Sequence, residues 1–385
     1  MEEIKLIFDL STTQPIGTTK RHGGGIYGEI VFKKLVELGY KFVCSYNPAL
    51  WLNPEIENIC KKQGLKLLDI SNLDEFVSIH SEYTVYCPVD AVLTSKVKSL
   101  GTIHGLRRLE MPNDHFQLKY KNSIREILLY FPRITFPKLW KKWQILKVKK
   151  LITIPNFTFA TVSNHSKYTF LNYFPQLKCE NIPVFYSPST VIDGSVREYE
   201  YGTPYFLLVS GNRWEKNNLR ALIALDELFS THKCINDFSV ILTGVKSLKQ
   251  FKWKFKNPER FKCLGYVDDD TLRSLFKSAY ALIYPSLNEG FGYPPVEAMS
   301  FGTPVLASPL TSITEVCGGA SLYFNPFDIE EIKNRILMSL STDIYEQKKQ
   351  ESLHRYAYIK AKQDSDLVKM CNWIVGQVNN GKKVI

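Results

Sequence analysis

A short apolar run, a glycine-bearing turn and a helix-patterned stretch follow one another twice in this chain, first from residue 4 and again from residue 205. Ile4-Lys5-Leu6-Ile7-Phe8-Asp9-Leu10 has the continuous apolar character of a strand buried on both faces. The glycine-rich loop His22-Gly23-Gly24-Gly25-Ile26-Tyr27-Gly28 precedes Glu29–Leu38, whose apolar spacing is helical, and Gly39 suits the helix C-terminus. The pattern restarts at Tyr205-Phe206-Leu207-Leu208-Val209-Ser210-Gly211, with a helix expected from about Leu219 to Phe229. Further strands are expected at Thr84–Tyr86, Gly101–Ile103, Phe159–Val162, Phe238–Leu242 and Ala281–Pro285. Strands alternating with helices in both halves predict an α/β fold of two doubly wound parallel domains. A length of 385 residues accommodates two sizeable cores. The turn-rich passage ending at Gly202-Thr203-Pro204 divides the chain into residues 1–190, a linker 191–204, a second domain 205–344 and a C-terminal helical segment 345–385.

The most informative stretch runs Tyr284-Pro285-Ser286-Leu287-Asn288-Glu289-Gly290-Phe291-Gly292-Tyr293-Pro294-Pro295-Val296-Glu297-Ala298-Met299-Ser300-Phe301-Gly302-Thr303-Pro304-Val305. It reads as a strand, a glycine loop and a short helix. Pro294 and Pro295 suit a helix start, where a missing N–H costs nothing, and Gly302 suits its end. Gly290 and Gly292 let backbone approach a ligand, and free N–H groups at the helix start favour a phosphate or sugar oxygen. Glu289 before the loop and Glu297, expected in the first helical turn, can face one crevice and accept hydrogen bonds from vicinal hydroxyls. On spacing alone, a solvated glutamate favoured by the helix dipole is the readier reading.

This stretch closely resembles the E-x7-E signature of the large retaining glycosyltransferase family with the GT-B fold, in which two Rossmann-like domains face a cleft. The resemblance continues through Leu264-Gly265-Tyr266-Val267, Thr314-Glu315-Val316 and Leu322-Tyr323-Phe324-Asn325-Pro326, and is near-continuous from Tyr205 to about Ile332. It implies that Glu297 holds the ribose of a nucleotide-sugar donor and that Glu289 contacts the donor sugar. Gly290, Phe291, Gly292 and Tyr293 would offer backbone amides to the sugar and diphosphate. The family's Arg and Lys for the leaving diphosphate are represented by Arg213 and Lys216, in a segment with shifted spacing. Two fixed positive charges there suit a departing diphosphate with no metal to neutralise it. Gly24 and Gly25 resemble the first-domain loop that approaches the diphosphate, and His104, at the end of a strand, matches an active-site histidine. The last helix, expected over about 345–378, resembles one that crosses back to the first domain. Ser163 in Ser163-Asn164-His165-Ser166-Lys167 reads as a helix cap. The resemblance implies a retaining hexosyltransferase-type enzyme, independent of metal and cofactor. It would move sugar from a nucleotide-diphosphate sugar to a glycan or lipid-linked acceptor in polysaccharide or glycolipid assembly.

Charge narrows the partners. The net charge is +11, yet residues 101–150 alone hold 12 Lys/Arg against 3 Asp/Glu. Residues 131–150 interleave seven Lys/Arg with Phe131, Phe136, Trp140 and Trp143 and carry no acid, the composition of a surface for an anionic membrane. A solvated basic helix is the plainer alternative, and without a recognisable module the patch gives little reason to expect nucleic acid. No apolar run reaches the roughly 18 residues of a spanning helix, and the start lacks a signal-peptide pattern. A cytoplasmic protein, peripheral at the membrane's inner face, is the expectation. The eight scattered cysteines suggest neither a disulfide framework nor a zinc site.

Three other chemistries fail on motif. His22-Gly23-Gly24-Gly25 resembles a lipase oxyanion loop, but no G-x-S-x-G elbow accompanies it. The dinucleotide fingerprint is missing, and the P-loop-like letters at Gly376–Lys383 lack both the Ser/Thr and room for a following helix. A sugar-nucleotide epimerase of the same fold, or a sugar-nucleotide-binding protein without turnover, stays open.

Overall fold

The computed structural model describes residues 2–15, 22–121, 123–191 and 194–380. Its strands are β1 (Glu2–Asp9), β2 (Tyr40–Tyr46), β3 (Leu67–Asp69), β4 (Thr84–Cys87), β5 (Ser99–Ile103), β6 (Phe157–Thr161), β7 (Tyr205–Leu208), β8 (Ser239–Thr243), β9 (Phe261–Gly265), β10 (Ala281–Tyr284), β11 (Val305–Ala307) and β12 (Ser321–Tyr323). They form two six-stranded sheets, in the orders β3-β2-β1-β4-β5-β6 and β12-β11-β10-β7-β8-β9. All the pairings between these strands are parallel. The second order repeats the first: counted from its own first strand, each sheet runs 3-2-1-4-5-6, the doubly wound arrangement expected from the sequence.

By packing, the chain divides into two units. One holds the residues up to Leu106, Ile145–Thr190 and those from Ala361 on; the other holds Arg107–Gln144 and Val191–Lys360. The first sheet is built on strands apolar on both faces, as parallel strands covered by helices must be. Leu6, Ile7 and Phe8 are fully buried. Phe8 meets Phe32, Phe42 and Tyr86 with ring centroids 5.3–6.0 Å apart. In the second unit Leu208, Leu222, Leu225, Ile283 and Phe324 belong to one continuous core between the sheet and its helices.

Two local expectations are corrected. The glycines of residues 23–28 form no loop: the helix begins at Gly23 and runs to Glu37. His22 caps it, its Nδ1 accepting from the Gly25 N–H at 3.1 Å, which satisfies one of the free donors of the first turn. The glycines serve close packing instead. A Cβ on Gly25 would lie 2.9 Å from the Thr13 carbonyl oxygen, and one on Gly28 would lie 2.8 Å from Thr13 Cγ2 and 2.9 Å from Pro88 Cγ. The second correction concerns Glu297. The helix starts at Tyr293, one residue before Pro294, which moves Glu297 out of the first turn. Gly292, at φ +113°, makes the preceding turn that admits this early start. Elsewhere the expected elements are present, including the helix Asn218–Thr231, the 39-residue helix Thr342–Asn380 and the Ser163 cap of the helix Asn164–Tyr173.

Glycine contacts give the first prediction. A methyl group on Gly25 meets backbone that cannot swing aside, an overpacking cost of roughly 1–3 kcal/mol against a helix-propensity gain of about 1 kcal/mol. One on Gly23 meets nothing within 4 Å. Gly25→Ala therefore unfolds at lower urea than Gly23→Ala when the two midpoints are measured side by side; the reverse order refutes the packing account.

Candidate active site

In an open parallel sheet the crevice lies where the strand order reverses, beyond the carboxyl ends of the two central strands. In the second sheet those strands are β7 and β10. The chain leaves β7 through Gly211 and a short 3₁₀ turn, Trp214–Lys216. It leaves β10 through Pro285–Gly292 into the helix Tyr293–Ser300.

Lys216 and Glu289 meet at this point. Lys216 Nζ donates to Glu289 Oε1 at 2.6 Å and to the Tyr284 hydroxyl at 2.7 Å. The Tyr284 hydroxyl in turn donates to Glu289 Oε1 at 2.7 Å, and Ser286 Oγ donates to the same oxygen. Oε2 of Glu289 accepts no bond from the described residues, so one carboxylate oxygen remains for a ligand. Lys216 and Glu289 are both buried, with 5% and 8% of their surfaces exposed. Burial pushes the Glu289 carboxyl up, but the charges of Lys216 and Arg107 and the bonds from Lys216 and Ser286 outweigh it and hold the pKa at about 2. Burial, with Arg213 nearby, lowers the Lys216 ammonium below its usual range despite the carboxylate.

Glu215 supplies the rest of the frame. Its carbonyl accepts from Leu287 N–H at 2.8 Å, pinning the turn after β7 to the loop after β10. Its Oε1 accepts from Arg213 Nε at 3.0 Å and from a second Arg213 nitrogen at 2.7 Å, with an Arg107 nitrogen at 3.5 Å. Burial opposes the Glu215 charge, but Arg213 more than compensates and lowers its pKa. The glycine loop is clamped as well. Ser312 Oγ donates to the carbonyls of Glu289 and Phe291 at 3.0 and 2.8 Å, and Glu289 N–H donates to Thr311 Oγ1 at 3.0 Å.

Of the residues singled out in the sequence, Arg213, Lys216 and Glu289 are thus brought together, each cation already paired with a carboxylate. Gly290 is half-buried, Phe291 is buried, and Phe291 lies edge-on to Tyr293 at 5.8 Å. Glu297 is half-buried on the helix that Tyr293 begins. In the other unit, His104 is held by its Nε2, which donates to the Pro88 carbonyl at 2.9 Å, by its own N–H to Asp90 Oδ1 at 3.0 Å, and by the Tyr27 ring edge at 4.7 Å. Gly24 packs beside Val89, beyond β4. Sequence reasoning missed Glu215, Tyr284, Ser286, Arg107, Thr311 and Ser312 as parts of the site. Tyr284 and Ser286 stand inside the stretch already quoted and Glu215 stands between Arg213 and Lys216; the others carry no spacing signal.

The ion pair makes stability depend on acid. A carboxyl whose folded pKa is depressed contributes stability above its unfolded pKa and loses it as pH falls through the folded value. For Glu289 the window runs from the ordinary carboxyl range of about 4.3 down to about 2, worth on the order of 3 kcal/mol. The stability gap between the protein and Glu289→Gln is therefore expected to narrow steadily across that window in urea titrations. A gap independent of pH excludes the carboxylate as an ionised partner of Lys216.

Known proteins share part of this sequence and its fold. The family described as "Glycosyl transferases group 1" matches residues 197–360. The O-antigen chain mannosyltransferase B of Escherichia coli is 32% identical over 177 residues, 45% of this chain and 43% of that protein. The O-antigen chain mannosyltransferase RfbU of Salmonella typhimurium is 35% identical over 128 residues, 32% of this chain and 35% of that one. The chain therefore aligns with less than half the length of either curated relative. Among solved structures, Anabaena HepE in complex with UDP and glucose superposes with a TM-score of 0.65 at 14% identity, covering 98% of this chain and 100% of that one. The chain has the two-sheet GT-B fold, and its residues 197–360 match the family of group 1 glycosyl transferases.

Proposed function

We propose that the protein is a retaining glycosyltransferase that moves a sugar from a nucleotide-diphosphate sugar to an acceptor hydroxyl in cell-surface polysaccharide or glycolipid assembly. The observation carrying this reading is the Lys216–Glu289 pair at the switch point, with Oε2 of Glu289 open and Arg213 and Lys216 one turn apart beside it. Supporting it are the O-antigen mannosyltransferase relatives and a structural neighbour that holds UDP-glucose.

In this reading Glu289 Oε2 accepts from hydroxyls of the donor sugar, and Glu297 from the ribose. The bond between the sugar's anomeric carbon and the diphosphate oxygen breaks, and Arg213 and Lys216 take up the charge left on the diphosphate. The acceptor oxygen bonds to the anomeric carbon on the same face, and its proton passes to the departing phosphate. The amides from Gly290 to Tyr293 add donors to the donor site. Two side-chain cations suffice for the diphosphate, so neither metal nor cofactor is required.

Losing a charge-assisted bond costs roughly 1.5–3 kcal/mol, about ten- to 150-fold in affinity. Glu297→Ala is expected to weaken nucleotide binding by that factor in calorimetry against a panel of nucleotide sugars, while turnover by the unmodified protein persists in EDTA. An unchanged nucleotide affinity removes Glu297 from the donor site, and loss of turnover in EDTA that manganese restores overturns the metal-free reading.

The same reading extends to the membrane. No helix among the described residues is long and apolar enough to cross a bilayer. Residues 131–150 instead expose Phe131 (55%), Phe136 (56%), Leu139 (66%) and Trp143 (45%) among seven Lys/Arg and no acid. Each basic residue near an anionic surface contributes about 1 kcal/mol, screened over about 8 Å at physiological salt. Binding to phosphatidylglycerol vesicles is expected to fall steeply as salt rises and to vanish when Lys138, Lys141, Lys142 and Lys147 become Gln. Failure to bind at low salt refutes a membrane role for this face.

A further inference from the structure

The segment Arg107–Gln144 packs with the unit that carries Lys216 and Glu289. It is tied there at several points. Arg107 shares Glu215 with Arg213, Asn288 Nδ2 donates to Glu110 Oε2 at 3.3 Å, and Arg220 makes a two-pronged ion pair with Asp114 at 2.7 and 2.9 Å. Between this segment and the turn Trp214–Lys216 lies a cavity of about 370 Å³ whose lining includes Arg107, Arg108, Arg133, Trp140, Trp214 and Glu215. A second hollow of about 350 Å³ is lined by Pro132, Phe136, Leu139, Trp140 and Trp143, so Trp140 and Trp143 line both.

We infer that these two hollows form one seat for a phosphate-bearing lipid acceptor, its phosphate among Arg107, Arg108 and Arg133 and its hydrocarbon chain along the groove from Trp140 to Phe136. The inference rests on the sugar-transfer reading of the adjoining site. The lining of the first hollow holds three guanidiniums and one carboxylate, and that carboxylate already serves Arg213. Guanidiniums recognise phosphate by paired hydrogen bonds, and the local surplus of positive charge calls for an anion. Arg133 lies 5.2 Å over the Trp214 ring, which holds its fork in place at the cavity wall. The second hollow offers only apolar and aromatic walls, and its Phe136, Leu139 and Trp143 stay wet until something apolar covers them. A soluble sugar has no use for the groove, and a free phosphate has none for the tryptophans beyond it. Only an amphiphile with an anionic head matches the polarity from one end to the other. The shared carboxylate Glu215 then sets the head next to the sugar-transfer site, where an acceptor linked to that phosphate is needed.

The test uses the full chain and dodecyl phosphate below its micellar concentration, read by tryptophan fluorescence. Dodecyl maltoside and inorganic phosphate present the tail and the head separately, and a single-stranded oligothymidylate tests a nucleic-acid ligand. The expected result is saturable binding of dodecyl phosphate, at least tenfold tighter than either half-ligand. Arg108→Gln, on an exposed side chain, and Arg133→Gln are each expected to weaken it several-fold, and Trp140→Ala to abolish the fluorescence change. Equal binding of the maltoside reduces the groove to a merely greasy surface and overturns the inference. So does inorganic phosphate binding as tightly as the lipid, or displacement by the oligothymidylate. Nucleotide binding is measured on the same preparation with UDP and GDP. Nucleotide binding without dodecyl phosphate binding overturns this inference alone; loss of both overturns the sugar-transfer reading as well.

Discussion

The ion pair between Lys216 and Glu289 is the contact on which the organisation of the second unit turns. Two charges taken from water each cost several kcal/mol, so such a pair holds only when other bonds complete it. Here Tyr284 and Ser286 complete it from β10 and the loop beyond, while Lys216 comes from the turn after β7. The pair thereby joins the exits of the two strands that border the switch point. The glycine loop then takes its course between this pair and Ser312, whose hydroxyl gathers two successive loop carbonyls. The start of the helix Tyr293–Ser300 is set by what precedes it, and with it the direction in which its free N–H groups point.

Around this pair the second unit carries a further rank of buried polar contacts. Arg220 stacks on Phe116 at 3.8 Å while it forks onto Asp114, and the Tyr120 hydroxyl accepts from Leu219 N–H at 2.8 Å at the start of the helix Asn218–Thr231. Such forked, desolvated contacts fix orientation more than they add stability. The segment from Arg107 to Tyr120 is therefore registered against the helix that follows the 3₁₀ turn, and the cationic cavity inherits that registration.

Much of the architecture was legible in the chain because parallel strands buried on both faces write themselves as unbroken apolar runs, and Leu6–Phe8 and Phe206–Leu208 do so plainly. The glycine stretch at residues 23–28 misled because glycine has two uses, turning a chain and permitting close approach. Only the positions of Thr13 and Pro88 decide between them, and these come from elsewhere in the sequence. The pairing of Lys216 with Glu289 was hidden for the same reason: both residues were visible as candidates, but their separation depends on the strand order. Glu215 was overlooked although it stands between two selected cations, since a carboxylate beside them gives no sign of which one it will hold. The role of Arg107–Gln144 in the second unit has no local signature at all.

That segment leaves the chain between Ile103, at the end of β5, and Phe157, at the start of β6, strands that pair directly with Ser99 opposite Phe157. Parallel neighbours of this type need a crossover of only about a dozen residues. Loop-closure entropy grows with the logarithm of length, so stretching such a link to about fifty residues adds only about 1.2 kcal/mol, some two doublings at roughly 0.6 each. In chain-statistical terms the helical excursion is an inexpensive insertion at a point where the sheet tolerates length. New helices can be exchanged there, with their cations and aromatics, while the register of β5 on β6 and the direct Lys216–Glu289 pair stay as they are.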